Sequence, residues 1–100
     1  MELQESERDA EERTEWTAGG VAITRHPGRC GGDPTISGSR IGVAEVVALA
    51  RRYAWDLARV QEREFSDLSL AEISGAVEYY RGHVEEIEEI LRRDREFLER

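Results

Sequence analysis

Hydrophobic positions are sparse at the start of the chain and become periodic only after residue 43. Past the initial methionine, Leu3, Ala10 and Trp16 are the apolar positions in residues 1–16. Such a stretch cannot offset by burial the entropy of being ordered, so it is expected as a mobile acidic tail or as a helix formed only on docking. Gly19-Gly20 then punctuates the start of the folded part, giving a tail over residues 1–20. Val21-Ala22-Ile23-Thr24 has the β-branched content of a short strand, and Thr35-Ile36-Ser37 and Arg40-Ile41 read as two more extended pieces around a Ser37-Gly38-Ser39 turn. Between them His26-Pro27-Gly28 and Cys30-Gly31-Gly32-Asp33-Pro34 form a loop whose prolines and glycines forbid regular structure.

From Val43 the period changes. Val43, Val46, Val47, Ala50 and Tyr53 share one face at helical spacing, which predicts a first helix over about residues 43–53. Asp56 is placed to cap a second helix, 56–64, carrying Leu57, Val60 and Phe65. Ser69-Leu70-Ala71-Glu72 has the spacing of a capping box and opens a third helix, 70–81, with Leu70, Ile73, Ala76, Val77 and Tyr80 inward and Gly82 as its stop. A last helix, 84–98, carries Val84, Ile87, Ile90, Leu91, Phe97 and Leu98 as an apolar stripe. On its wet side Glu88 with Arg92, Glu89 with Arg93 and Glu96 with Arg100 are spaced as i,i+4 pairs, and Glu85, Glu86, Glu88 and Glu89 read as a solvated face. The fold expected is mainly α: a short N-terminal β-element, a three-helix unit whose second and third helices have helix-turn-helix proportions (residues 21–83), and a C-terminal amphipathic helix (84–100).

Composition bounds the chemistry. The 100 residues carry 22 acidic and 14 basic side chains for a net charge of -8, and every basic residue is Arg, so lysine-dependent chemistry, from Schiff bases to P-loops, is absent. A pI near 4.8 argues against a general phosphate-backbone binder. The charge is unevenly spread, however: residues 1–20 sum to -5, 21–55 to +3, and 56–83 and 84–100 to -3 each, so a local basic patch survives. Cys30 is alone and admits no intramolecular disulfide, no apolar run approaches a membrane span, and the start of the chain lacks a secretory leader pattern. A cytoplasmic location is expected, and acid excess with Arg in place of Lys suits a high-salt interior.

Each chemical motif is weak on its own terms. Gly31, Gly32 and Gly38 lack the spacing and the Lys of a nucleotide-binding loop, and with Pro34 they read as a structural loop that lets the strands pair. Arg40, beside Ser37 and Ser39, is a candidate for a bidentate contact to phosphate or carboxylate, or for an internal clamp on the loop. His26, Cys30 and His83 lack the paired spacing of a zinc site, and no nucleophile has a base and an orienting third group, so neither a metal nor a cofactor is expected. The candidate recognition helix 70–81 offers Glu72, Ser74, Glu78 and Tyr79 outward and no base-reading Arg, Asn or Gln in its first turns. DNA or partner contact would therefore fall to Arg25, Arg29, Arg40, Arg51, Arg52, Arg59 and Arg63.

The run Ile23-Thr24-Arg25, Gly31-Gly32-Asp33-Pro34, Ile36-Ser37-Gly38-Ser39-Arg40-Ile41 and Val43, followed by Asp67-Leu68-Ser69-Leu70-Ala71-Glu72-Ile73 and Ala76-Val77-Glu78-Tyr79-Tyr80, resembles the domain-of-unknown-function family four-three-three over about residues 21–87. Ser39 stands where that family usually has Thr, Arg51 to Asp56 replaces a commoner Gly-containing turn, and Gln61 to Phe65 departs from the usual spacing. The resemblance implies a homeodomain-like helix-turn-helix similar to VapB-type antitoxins, non-enzymatic and without cofactor. Such a protein would neutralise a PIN-like nuclease toxin and carry autoregulatory DNA binding. Toxins of that kind hold metal with carboxylates, for which Arg92, Arg93 or Arg95 of the last helix would compete. The stripe Val84 to Leu98 would seat on the toxin or on a dimer mate, since a small core and an exposed four-turn stripe favour a homodimer. A stand-alone dimeric helix-turn-helix transcriptional regulator is the alternative.

Overall fold

The computed structural model describes residues 13–18, 20–25 and 32–98. Three strands, β1 (Arg13–Ala18), β2 (Val21–Arg25) and β3 (Thr35–Ile36), form an antiparallel sheet in that order. Four helices follow: α1 (Val43–Arg52), α2 (Leu57–Glu64), α3 (Leu70–Gly82) and α4 (Val84–Leu98). The mainly α architecture with a short leading sheet is the one expected. None of the helices is long and apolar enough to cross a membrane.

Local signals fix the helix ends. The Asp56 carboxylate accepts from the Arg59 amide at 3.2 Å and starts α2. At α3 the Ser69 hydroxyl accepts from the Glu72 amide at 3.1 Å while the Glu72 carboxylate accepts from the Ser69 amide at 2.8 Å, so the capping box is complete. The 37–39 turn is closed by Ser39, whose hydroxyl donates to the Ile36 carbonyl and accepts from the Ile41 amide, with Gly38 at φ +81. The clamp on this loop is thus Ser39; Arg40 stands exposed, without a hydrogen bond among the described residues. Residues 40–41 form no strand, only a single bridge between Thr35 and Gly42. The buried Pro34 accepts the Val43 amide at 3.0 Å and so joins the loop to α1.

Three expectations are corrected. Residues 13–18 of the expected tail form β1, which pairs with β2 from Arg13↔Arg25 to Ala18↔Val21 with a register shift between Thr14 and Trp16; residues 1–12 lie outside the described residues. On α3 Tyr79, expected outward, is fully buried, Tyr80 is half-buried, and Leu70, expected inward, is 46% exposed. The reason is position: α3 is the central helix, packed against β2, α1, α2 and α4, so it has no single inward face. It approaches β2 closely at Gly75, where only hydrogen fits against Val21. Finally, the stripe on α4 is not free. Ile87 is fully buried, Ile90 is 6% exposed and Leu91 packs against the same core of Ile23, Val43, Val46, Val47, Val60, Ile73 and Val77. Only Val84, at 43%, faces out, while the side chains of Phe97 and Leu98 lie outside the described residues.

Candidate partner-binding surface

The turn between α1 and α2 is built on two consecutive residues in the left-handed region, Ala54 (φ 56) and Trp55 (φ 67). Backbone hydrogen bonds enforce it: the Trp55 amide reaches the Ala50 carbonyl at 2.7 Å, and the Asp56 amide reaches that of Tyr53 at 3.1 Å. A non-glycine in this region costs about 1 kcal/mol or more, and here the cost is met twice to hold one side chain in place. That side chain, Trp55, is 44% exposed and lies over Tyr80 of α3, with ring centroids 6.2 Å apart and planes inclined by 24°.

Beneath it Arg51 locks the assembly. Its guanidinium lies 5.9 Å from the Tyr80 ring centroid, donates to the Tyr80 hydroxyl at 3.0 Å and pairs with Glu88 of α4. Tyr80 in turn donates to Glu88 at 2.6 Å. The bonds from Tyr80 and Arg51 hold the Glu88 carboxyl below its usual range, and the same Glu88 bond pushes the Tyr80 hydroxyl and Arg51 up. Glu88 is therefore not part of a bland solvated face, nor the i,i+4 partner of Arg92, which pairs with Glu89.

On either side of Trp55 in sequence stand cations without a paired carboxylate among the described residues. Arg52, Arg59 and Arg63 are exposed and make no ion pair among the described residues. Tyr53, whose hydroxyl donates to Glu64 at 2.6 Å, feels the positive charge of both Arg63 and Arg52; the Glu64 bond prevails and raises its pKa. The outcome is an exposed tryptophan on a hydrogen-bonded turn between two helices, which carry three arginines, Arg52, Arg59 and Arg63, without an ion pair among the described residues.

Arg25, also expected at the interface, is committed to the fold instead. It donates to the Gly32 carbonyl at 3.0 Å and to the Tyr79 hydroxyl at 3.1 Å, and pairs with Glu86 at 2.5 Å. Burial, and then the negative charge of Glu86, raises the Tyr79 pKa. His83 stacks on the Tyr79 ring at 3.9 Å, and its Nδ1 lies 2.8 Å from the Tyr79 carbonyl, an acceptor only, so that nitrogen carries a proton. This network fastens β2 and the glycine loop to α3 and α4. Arg93 likewise pairs with Asp33 at 2.8 Å rather than with Glu89, which raises its pKa and joins α4 to the loop. Of the three α4 arginines only Arg95 is without an ion pair among the described residues.

Gly32 and Gly38 sit at φ +81 in the loop, while His26, Arg29, Cys30 and Gly31, like the expected Glu96–Arg100 pair, fall outside the described residues or side chains. No three His, Cys, Asp or Glu side chains among the described residues come together as a metal site. Sequence reasoning missed Trp55, Tyr80 and Glu88. A Trp directly before the α2 cap, after Arg51-Arg52-Tyr53 where a glycine turn is commoner, was the available signal.

No curated protein and no solved structure matches the chain. The family model described as Protein of unknown function (DUF433) matches residues 23–80, from β2 through the Tyr79-Tyr80 pair. That span covers more than half of the chain and includes the glycine loop, the capping box and the first three helices as far as Tyr80, and on it this chain belongs to the DUF433 family.

Proposed function

We propose that the chain is a non-enzymatic protein-binding module of the antitoxin type, which neutralises a PIN-like nuclease by docking the surface around Trp55. The observation that carries this reading is the exposed Trp55, held on two left-handed residues and braced by Tyr80, Arg51 and Glu88. Trp, Tyr and Arg supply most of the binding energy at protein interfaces, and a pre-ordered side chain loses little entropy on docking. The free Arg52, Arg59 and Arg63 complement a partner that gathers carboxylates to hold a metal.

The competing reading, a stand-alone helix-turn-helix DNA regulator, would use the same three arginines on phosphate. Helix α3 argues against it as a base reader. Its interior face is spent on four neighbouring elements, and what it exposes is Leu70, Ala71, Glu78, Arg81 and Gly82, with Glu72 and Ser74 half-buried. The test is co-expression with the product of the neighbouring gene, followed by size exclusion and an RNase assay. Co-elution with loss of nuclease activity supports the proposal. No co-elution, together with a salt-dependent shift of promoter DNA, would replace it with the regulator.

A further inference from the structure

A cleft of about 680 Å³ lies between α1 and α4. Its floor is apolar and shallow: Ala44 and Ala48 stand one turn apart on α1, and the half-buried Leu91 of α4 lines the cleft with them. Toward the C-terminal end of α1 the cleft reaches Arg51, the residue that donates to Tyr80 and pairs with Glu88. Tyr80 in turn carries Trp55 on its ring, so the apolar floor, the Arg51–Glu88 pair and the Trp55–Tyr80 stack form one continuous surface.

We infer that the α1/α4 cleft receives an amphipathic helix of the partner anchored at Trp55, a step that rests on the antitoxin-type reading above. Trp55 cannot hold a partner by itself. A tryptophan side chain offers about 150–250 Å², of which 44% is exposed here, or about 100 Å², whereas a specific interface buries roughly 800 Å² on each side. The partner must extend beyond Trp55, and the cleft is apolar surface contiguous with it. Small Ala44 and Ala48 leave a furrow beside α4 into which the side-chain ridge of another helix fits. Both walls are helices whose backbone groups are bonded within them. An extended segment would therefore find no strand edge and would leave its own amides and carbonyls unpaired over the apolar floor. A helix brings its backbone already satisfied and needs only an apolar stripe at i, i+3, i+4 and i+7. About three turns, roughly 16 Å, reach from Ala44 to Trp55. The rim is mixed in charge, with Glu45 on α1 and Asp94 and Arg95 on α4, which suits the polar flanks of an amphipathic helix rather than a segment of one sign. Arg51 stays bonded to Tyr80 and Glu88 throughout and serves as the brace between the cleft and the anchor.

The experiment is titration calorimetry of the full chain with a PIN-like nuclease that co-elutes with it, compared across Trp55→Ala, Ala48→Arg and Ala71→Arg. Ala48→Arg puts a long charged side chain on the cleft floor and is expected to weaken binding about tenfold or more while melting close to wild type, since Arg and Ala have similar helix propensity. Ala71→Arg makes the same change at an exposed position of α3 outside the cleft and is expected to bind as wild type does. The form of the partner's element is read by disulfide trapping. In a Cys30→Ser/Ala48→Cys chain, cysteines scanned along the nuclease segment that the complex protects from hydrogen exchange are expected to cross-link at every third or fourth residue. Cross-links at every second residue overturn the helix. So does an Ala48→Arg protein that binds as wild type does, or a loss that Ala71→Arg shares, and in each of these cases weaker binding by Trp55→Ala leaves the anchor standing. Trapping of Ala48→Cys to a second copy of the chain in place of the nuclease overturns it as well. Binding unchanged by Trp55→Ala, or no binding at all, overturns the antitoxin-type reading itself and the helix seat with it.

Discussion

Gly75→Ala isolates a close approach of α3 to the sheet. A Cβ at Gly75 would lie 2.7 Å from Val21 Cγ1, 3.0 Å from Val21 Cβ and 3.4 Å from Val21 Cγ2, against an optimum near 3.5–4.0 Å for carbon pairs. Rotating Val21 gives no escape: its β-branch is stiff, and its Cβ moves only with β2, which is held to β1 and, through Ala22, to the Ser37 amide at 2.9 Å. The strand and the helix must therefore separate by several tenths of an ångström. Overpacking of this kind costs about 1–3 kcal/mol, and the gain of about 1 kcal/mol in helix propensity offsets part of it. A net loss of about 1 kcal/mol is expected, or roughly 4–8 °C in Tm for a domain of this size. Gly82→Ala, where nothing lies within 4 Å, is the control and is expected to be neutral or stabilising by up to about 1 kcal/mol. Thermal melts and urea titrations at one fixed protein concentration measure both, because self-association would make Tm concentration-dependent. Val21→Ala removes the blocking methyls, so combined with Gly75→Ala it should cost less than the two single changes together, by about 0.5 kcal/mol or more. A Gly75→Ala protein stabilised as much as Gly82→Ala, or strict additivity with Val21→Ala, would refute the packing argument.

Other predictions follow from the same structure. Ala54→Gly removes a left-handed non-glycine and should stabilise the fold by about 1 kcal/mol in the same melts; a loss of stability would mean the turn is not strained. Ile87→Ala empties a fully buried site and should cost about 2–5 kcal/mol in the free protein, whereas an Ile87 that faced only a partner would cost almost nothing. Glu88 has a depressed pKa in the fold, so its contribution is complete above about pH 5 and is lost as pH falls through the carboxylate range. Both Arg51 and Glu88 side chains are 40% exposed, which limits that contribution to about 1 kcal/mol. The stability gap between wild type and Glu88→Gln, followed by urea titration across pH, should therefore close on the acid side; a gap that widens there reverses the sign of the linkage.

What was legible in the sequence was local. Helix ends at Asp56 and Ser69-Glu72 could be read because a cap is satisfied within three residues, and the α1 face because that helix buries a single side. Strand β1 was not legible, since Arg13-Thr14-Glu15-Trp16-Thr17-Ala18 offers only Trp16 and Ala18 as apolar alternation and pairs with β2. Tyr79 and Tyr80 were exchanged because a helical period assigns one buried face, and α3 is covered from several sides. The pairs Arg25–Glu86 and Arg51–Glu88 join residues 61 and 37 positions apart, beyond any spacing rule, so two arginines expected at an interface proved to brace the fold. Trp55 gained its meaning only with the backbone, from the φ values that hold it outward.

The central claim is that Trp55 anchors a protein partner. Titration calorimetry of a PIN-like nuclease that co-elutes with the chain, against wild type and Trp55→Ala, tests it most directly. Trp55→Ala should melt within a few degrees of wild type, since it loses only an exposed stacking contact worth about 1 kcal/mol, yet bind roughly thirtyfold or more weakly, as loss of an interface anchor worth about 2 kcal/mol requires. A Trp55→Ala protein that is folded and binds the nuclease as tightly as wild type would contradict the account.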